Sequence, residues 1–291
     1  MSTRFGRKVR VTVASRLRGE VKGKAGRFFN AYTQLTTIED LRVQFDILKT
    51  LKKDANSASI VITNLSERNR AEFQTLPAHV TLDAGHEGDI RTIFKGDIQD
   101  GKSRRDGTEW MTDIAAGTGS NAIKFARINR SFKVGANVRD MMKATADSMG
   151  LKLPKNAEDA REFLTTIENG VSLQGPSMEQ LSKMVHPHGF SASIQDDQLV
   201  LLREGDTNLV RAVVVSQSTG MIGSPELGTP EAKGKAPILS TKMLLSPDIM
   251  PGGLIQVQSR TISGNFKVLE VRHTGDTHGQ PWYSEIQARQ L

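Results

Sequence analysis

Displaced by 172 residues without gaps, the chain matches itself across one window, and this internal repeat constrains the fold more than any other feature. Ile90 falls on Ile262, Phe94 on Phe266, Lys95 on Lys267 and Gly107 on Gly279. Trp110 falls on Trp282, Ile114 on Ile286 and Ala116 on Ala288. That makes 7 identities over 27 positions, against about 2 expected from ordinary composition. The two tryptophans of the chain coincide. Both windows read as a strand, a long loop (99–110 in the first copy), and a strand opening at Trp. At about 100–200 residues per domain, 291 residues leave room for two such units.

The segments around the repeat have the period of strands. VRVTVAS (9–15) alternates apolar and polar residues, and LRVQFDIL (41–48) points Leu41, Val43, Phe45 and Ile47 one way. SASIVITNLS (57–66), HVTLDAG (79–85), IRTIFKGDIQ (90–99), WMTDIAA (110–116) and AIKFARIN (122–129) are further predicted strands. SERNRAEFQ (66–74) reads as a short helix capped by Ser66. Strands at this spacing predict a closed or strongly curved sheet.

The period changes in the middle. VGANVRDMMKATADSMGL (134–151) places Val138, Met141, Met142, Ala146 and Met149 on one helical face, with Gly150 to end it. The methionines are read as core. PSMEQLSKMV (176–185) predicts a second helix, with Ser177 and Gln180 spaced for a capping box. FSASIQDDQLVLLRE (190–204) predicts a hairpin turning at Asp196 and Asp197. After it, residues 216–237 are rich in Gly, Pro and Ser and read as a long loop. The expected organisation is residues 1–130, a small α/β unit at 131–205, and a second β unit at 206–291.

Chemistry is suggested by one stretch, HTGDTHGQPW (273–282). His273, Asp276 and His278 are all metal-binding types. The ungapped repeat sets Gly101, Arg104 and Asp106 at these positions, so the same hairpin stands without histidine. A polar loop is the expectation, and a metal-dependent hydrolase using the three residues is the alternative. HPHGF (186–190), with His186 and His188 about Pro187, reads as a helix-ending turn. AAGTGSN (115–121) reads as a turn between strands, with no helix to cradle phosphate. No G-x-S-x-G, H-E-x-x-H or Walker loop occurs, and the chain has no Cys. No catalytic, cofactor-binding or metal-ligating residue is therefore assigned, and no cofactor is expected.

The net charge is +7, but residues 1–30 hold nine Lys or Arg and one acid. The rest of the chain is thus slightly acidic, with a net charge of −1. A basic end can bind phosphates, which keeps nucleic-acid binding open as a second alternative. The aromatic content of 5% argues against base stacking. No apolar run reaches the length of a membrane helix, and MSTRFGRKVR lacks the apolar core of a secretory signal. Use without signal-peptide export and without a membrane is expected.

Taken in order, the motifs resemble the bacteriophage tail and baseplate hub proteins. SIVITNLSERNRAEF, with Asn64 and Leu65 ahead of a helix, resembles the first barrel of such hubs. So does VTLDAGHEGDIRTIFKGDIQD, with Ala84, Gly85, Phe94 and Gly96. MLLSPDIMPGGLIQVQS and FKVLEVRHTGDTHGQPWYSEIQA resemble the closing barrel, through Pro251, Gly252, Gly253, His273, Gly275 and Asp276. The resemblance covers most of residues 38–290. It implies a mainly β (α+β) protein of two tail-tube-like β-barrels joined by the small α/β insert. It also implies a homotrimeric ring of six barrels between a sixfold tail tube and a threefold central spike, bound to other baseplate proteins. DNA would pass the lumen without specific binding. Such a protein is not an enzyme; it is assembled in the host cytoplasm and resides in the virion. The basic residues Arg4, Lys8 and Arg10 are expected away from the lumen.

Overall fold

The structure, a computed structural model, describes residues 6–15, 34–74, 76–203, 205–207, 212–229 and 236–291. The protein is mainly β, with a small α/β unit inserted between two runs of strands.

The first run is β1 (Arg7–Ser15), β2 (Gln34–Ile38), β3 (Val43–Thr50), β4 (Ser57–Thr63), helix α1 (Glu67–Phe73), β5 (Ala78–His86), β6 (Asp89–Asp106) and β7 (Glu109–Gly117). Alternation sets the buried face: Val11, Ile47, Ile60, Leu82 and Phe94 meet under the sheet. Helix α1 caps as expected, with Ser66 Oγ accepting from the Asn69 N–H, and buries Phe73 in the same core.

The inserted unit holds α2 (Ser120–Phe125), β8 (Arg127–Phe132), α3 (Val138–Ser148), α4 (Lys155–Glu158), β9 (Val171–Pro176), α5 (Ser177–Val185), β10 (Phe190–Gln195) and β11 (Gln198–Arg203). Met142, Ala146 and Met149 lie in its core beside Phe163, Leu181 and Ile194. The predicted turn is present: Asp196 and Asp197 join β10 to β11 at φ 46 and 64. Two expectations fail here. AIKFARIN is not one strand, because Gly119 at φ 59 turns the chain into α2, which buries Ala122. After the helix, β8 pairs with β9, outside the large sheet. A short apolar run leaves helix and strand unresolved until its neighbours choose. The capping box at α5 is also absent: Ser177 Oγ accepts from Ser148, and Gln180 donates to the Gln174 carbonyl.

The second run is β12 (Val213–Ser216), β13 (Met221–Leu227), β14 (Ile238–Leu244), β15 (Leu254–Gln258), β16 (Ser263–Asp276) and β17 (Trp282–Gln290). Val257, Phe266, Val268, Val271 and Ile286 form its core. The long loop expected at 216–237 contains β13, paired antiparallel to β14 from Met221↔Met243 to Leu227↔Leu239. Gly223, Ser224 and Pro225 fall where the register slips. A bulge is where a sheet tolerates Gly and Pro, so these residues concealed the strand.

Both runs belong to one sheet, ordered β13-β14-β17-β16-β3-β4-β7-β6-β5-β1-β2, with β15 also on β16 and β12 on β15. The loop expected at 99–110 is strand except at Gly107 and Thr108, whereas in the loop expected at 273–282 residues 277–281 are outside any strand. β6 runs to Asp106 and turns at Gly107 and Thr108, while β16 runs to Asp276. Registers refine the repeat. Ile98 faces Ala116 and Asp100 faces Ala115 across a bulge; Val268 faces Ala288 and Glu270 faces Gln287 across another. β7 thus maps to β17 by 172 residues but β6 to β16 by 170, with two extra residues at the second tip. A two-residue slip is one strand period, which is why the ungapped match kept the faces aligned.

Candidate functional site

The residues singled out in HTGDTHGQPW lie where the two β runs join. β3 pairs antiparallel with β16, from Glu270↔Thr50 to Asp276↔Gln44. On β16, His273 and Asp276 are an odd number of positions apart, so their side chains leave opposite faces. They do not converge with His278, and among the described residues no group of three His, Asp or Glu could hold a metal.

Each has a packing role. His273 is fully buried, its Nδ1 2.9 Å from Ser284 Oγ, which also accepts the Ser246 N–H at 3.0 Å. By the corrected register, this pair repeats Ser103 and Thr112, whose hydroxyls lie 3.0 Å apart. Burial, with Lys49 nearby, pushes the His273 pKa down to about 3, against a backbone hydrogen bond at Ile249, so the ring is neutral. Asp276 accepts from Arg42 Nη2 at 2.8 Å and Nε at 3.2 Å. Gln44 Nε2 at 3.1 Å and the His278 N–H at 2.9 Å also donate to it. Burial pushes its pKa up, but Arg42 and the backbone N–H groups of His278 and Gly279 outweigh this and hold it down at about 2. A cation here would have to displace Arg42.

Gly275 sits opposite Phe45, and the ring lies so close that a Cβ would be 2.2 Å from its Cζ. Phe45 in turn meets Trp282 edge-on at 5.7 Å. Arg7 of β1 closes the hairpin tip, donating to the carbonyls of Asp276 at 2.9 Å, Gln280 at 3.2 Å, and Gly279. Arg10 pairs with Glu39. Lys8 and Arg10 are exposed on β1, while Arg4 and the other basic residues up to Arg27 lie outside the described residues.

A second joint ties the α/β unit to the first β run, and sequence reasoning missed it. Lys49 continues the alternation Val43, Phe45, Ile47 and is fully buried. Its Nζ reaches Asp196 at 2.5 Å and the Ile93 carbonyl at 3.3 Å. Around it, Asn56 donates to Gln195 at 2.8 Å, Gln195 to the Thr50 carbonyl at 2.6 Å, and His79 lies 2.7 Å from Asp197. Lys267 of β16 donates to the Arg203 carbonyl at 2.6 Å. A lysine in phase with an apolar strand face was the available signal. HPHGF forms the expected turn after α5, with His188 edge-on to Phe163. AAGTGSN, by contrast, does precede a helix, the six-residue α2.

This arrangement holds elements in register. The ion pairs and hydrogen bonds named above tie β3 to β16 and the α/β unit to β3.

Solved structures share the fold at low identity. A tail protein of Neisseria meningitidis MC58 superposes with a TM-score of 0.62 at 12% identity, over 98% of this chain and 97% of that one. The 43 kDa tail protein of prophage MuSo2 from Shewanella oneidensis gives 0.59 at 9%, over 88% and 94%. The E. coli c3393 protein, described as a type VI secretion component similar to T4 bacteriophage tail proteins gp27 and gp5, gives 0.59 at 12%, over 87% and 74%. No curated protein matches the chain. The fold is therefore that of phage tail proteins and their secretion-system counterparts. Within that class the chain belongs to the Baseplate hub gp41 family, whose profile matches residues 20–288.

Proposed function

We propose that the protein is the structural hub of a bacteriophage baseplate, a homotrimeric ring with pseudo-sixfold symmetry linking the tail tube to the central spike. The observation that carries this reading is the duplicated hairpin system: β4, β7 and β6 recur as β14, β17 and β16, and the copies meet edge to edge at β3 and β16. Three chains with two copies each present six similar units to a sixfold tube. In this reading residues 1–130 and 206–291 are the two tube-like barrels, and 131–205 are the insert. The ring encloses a channel through which DNA passes unbound, and other baseplate proteins dock outside. Lys8 and Arg10 face outward or a protein neighbour. The protein works in the virion as shape, not as an enzyme.

Light scattering over a concentration series tests the ring. A 31.9 kDa chain closed threefold gives about 96 kDa. A monomer at every concentration, including with tube and spike proteins present, would sink the ring.

A further inference from the structure

Resting on the hub reading, in which other baseplate proteins dock on the outside, we propose that the outer face of the β8–β9 ribbon binds an acidic segment of such a protein.

Charge is unevenly spread at this ribbon. Between Asp113 and Asp140 the chain has no Asp or Glu, yet it carries Lys124, Arg127, Arg130, Lys133 and Arg139. Exposed cations elsewhere meet carboxylates: Arg91 pairs with Asp89 and Asp248, Arg104 with Asp113, and Arg272 with Asp46. Among the described residues none of the ribbon's cations does so. Arg127 donates to the carbonyls of Lys124 and Ala126 at 2.9 and 3.0 Å, which caps the end of α2 but supplies no counter-charge. Arg139 donates to the Glu158 carbonyl at 3.4 Å, and Arg130 lies over the Phe132 ring at 5.3 Å.

Strand alternation presents this charge. Ile128 and Leu173 turn inward to Met141 of α3. Arg127, Asn129 and Ser131 of β8 therefore turn outward, opposite Pro176, Gln174 and Ser172 of β9. The Ser131 and Ser172 hydroxyls lie 2.8 Å apart across the strands. Lys124 and Phe125 precede β8, Lys133 and Val134 follow it, and Phe125 is 61% and Val134 63% exposed. The face thus runs from an apolar side chain, through cations set among neutral polar groups, to a second apolar side chain. β8 itself is about 20 Å long at about 3.3 Å per residue.

A face that only meets water carries both signs interspersed. A single sign raises a potential that draws in an oppositely charged partner, and arginine with aromatic side chains is enriched at protein interfaces. A phosphate backbone would match the cations but offer nothing to Phe125 and Val134. An extended protein segment with carboxylates between two apolar side chains satisfies both.

Two kinds of probe separate the occupants. One is a peptide of about ten residues, long enough to run the ribbon, with Leu at both ends and alternate Glu between. The other is short DNA, single-stranded and duplex. Fluorescence anisotropy at low salt should show the peptide bound more tightly than either DNA. Lys124→Glu with Arg130→Glu and Lys133→Glu should weaken the peptide by at least about tenfold; Arg127 stays because it caps α2. Lys52→Glu with Lys53→Glu, an exposed basic pair between β3 and β4, should weaken it less than about twofold. Loss confined to the ribbon variant supports the face. DNA bound more tightly than the peptide, equal loss in both variants, or equal binding of a peptide with Ser in place of both Leu overturns it. Native mass is read on the same samples. A trimer that does not bind the peptide overturns this face and leaves the hub. A monomer at every concentration that binds it keeps the face and overturns the ring, and a monomer that does not bind it overturns both.

Discussion

At the scale of the residue, chemistry-bearing side chains are used for holding. His273 ordinarily titrates at 6.5 but is held near 3 by burial. As pH falls below about 6.5 the unfolded chain takes up a proton that the folded chain refuses. Stability from this residue is therefore complete above 6.5 and lost at about 1.4 kcal/mol per pH unit down towards 3. Asp276, held at about 2 against 3.8, adds a second loss between about pH 4 and 2. Urea unfolding from pH 7 to 4 should show the first slope, and His273→Gln should flatten it. Asp276→Asn should cost about 1–3 kcal/mol at pH 7, because Arg42 loses its carboxylate. Gly275→Val should cost about 1–3 kcal/mol by overpacking against Phe45; an unchanged urea midpoint would contradict that placement. His273, Gly275 and Asp276 were visible in the sequence as a motif. Their partners Arg42, Phe45 and Arg7 were not, because each lies more than 200 positions away.

At the scale of the element, strands with a clean alternation were legible, and so were helices with a full apolar face such as α3. β13 and α2 were not. β13 is interrupted by bulge residues, and α2 is a short apolar run whose form its neighbours decide. The first hairpin was mistaken for a long loop because β6 beyond Ile98 is nearly all polar. An edge strand open to water has no apolar face to display. The turn between β10 and β11 was read correctly, but its second task was hidden: Asp196 neutralises the buried Lys49. Asp196→Ala should cost about 3–5 kcal/mol, leaving Lys49 buried and unpaired, while Lys49→Met with Asp196→Ala should recover most of that loss. A double-mutant cycle in urea measures the difference. A sum of single effects equal to the double would mean that the two side chains do not act together.

At the scale of the whole molecule, the two β runs share a sheet and part of a core. Leu245 and Trp282, from the second run, lie in the apolar cluster of the first. Calorimetry should therefore show both β runs melting in one transition, and a separate early transition for residues 213–290 would contradict the shared core. The repeat, the alternation and the order of motifs are written locally, so the sequence alone determined a mainly β chain with two related halves, an α/β insert and kinship to tail hubs. It could not determine the two-residue slip of the repeat, since a slip of one strand period leaves every residue on its own face. Nor could it determine that the halves join edge to edge. Strand pairing is made by backbone N–H and C=O groups that every residue carries, so which edges meet is decided only when the folded core brings them together.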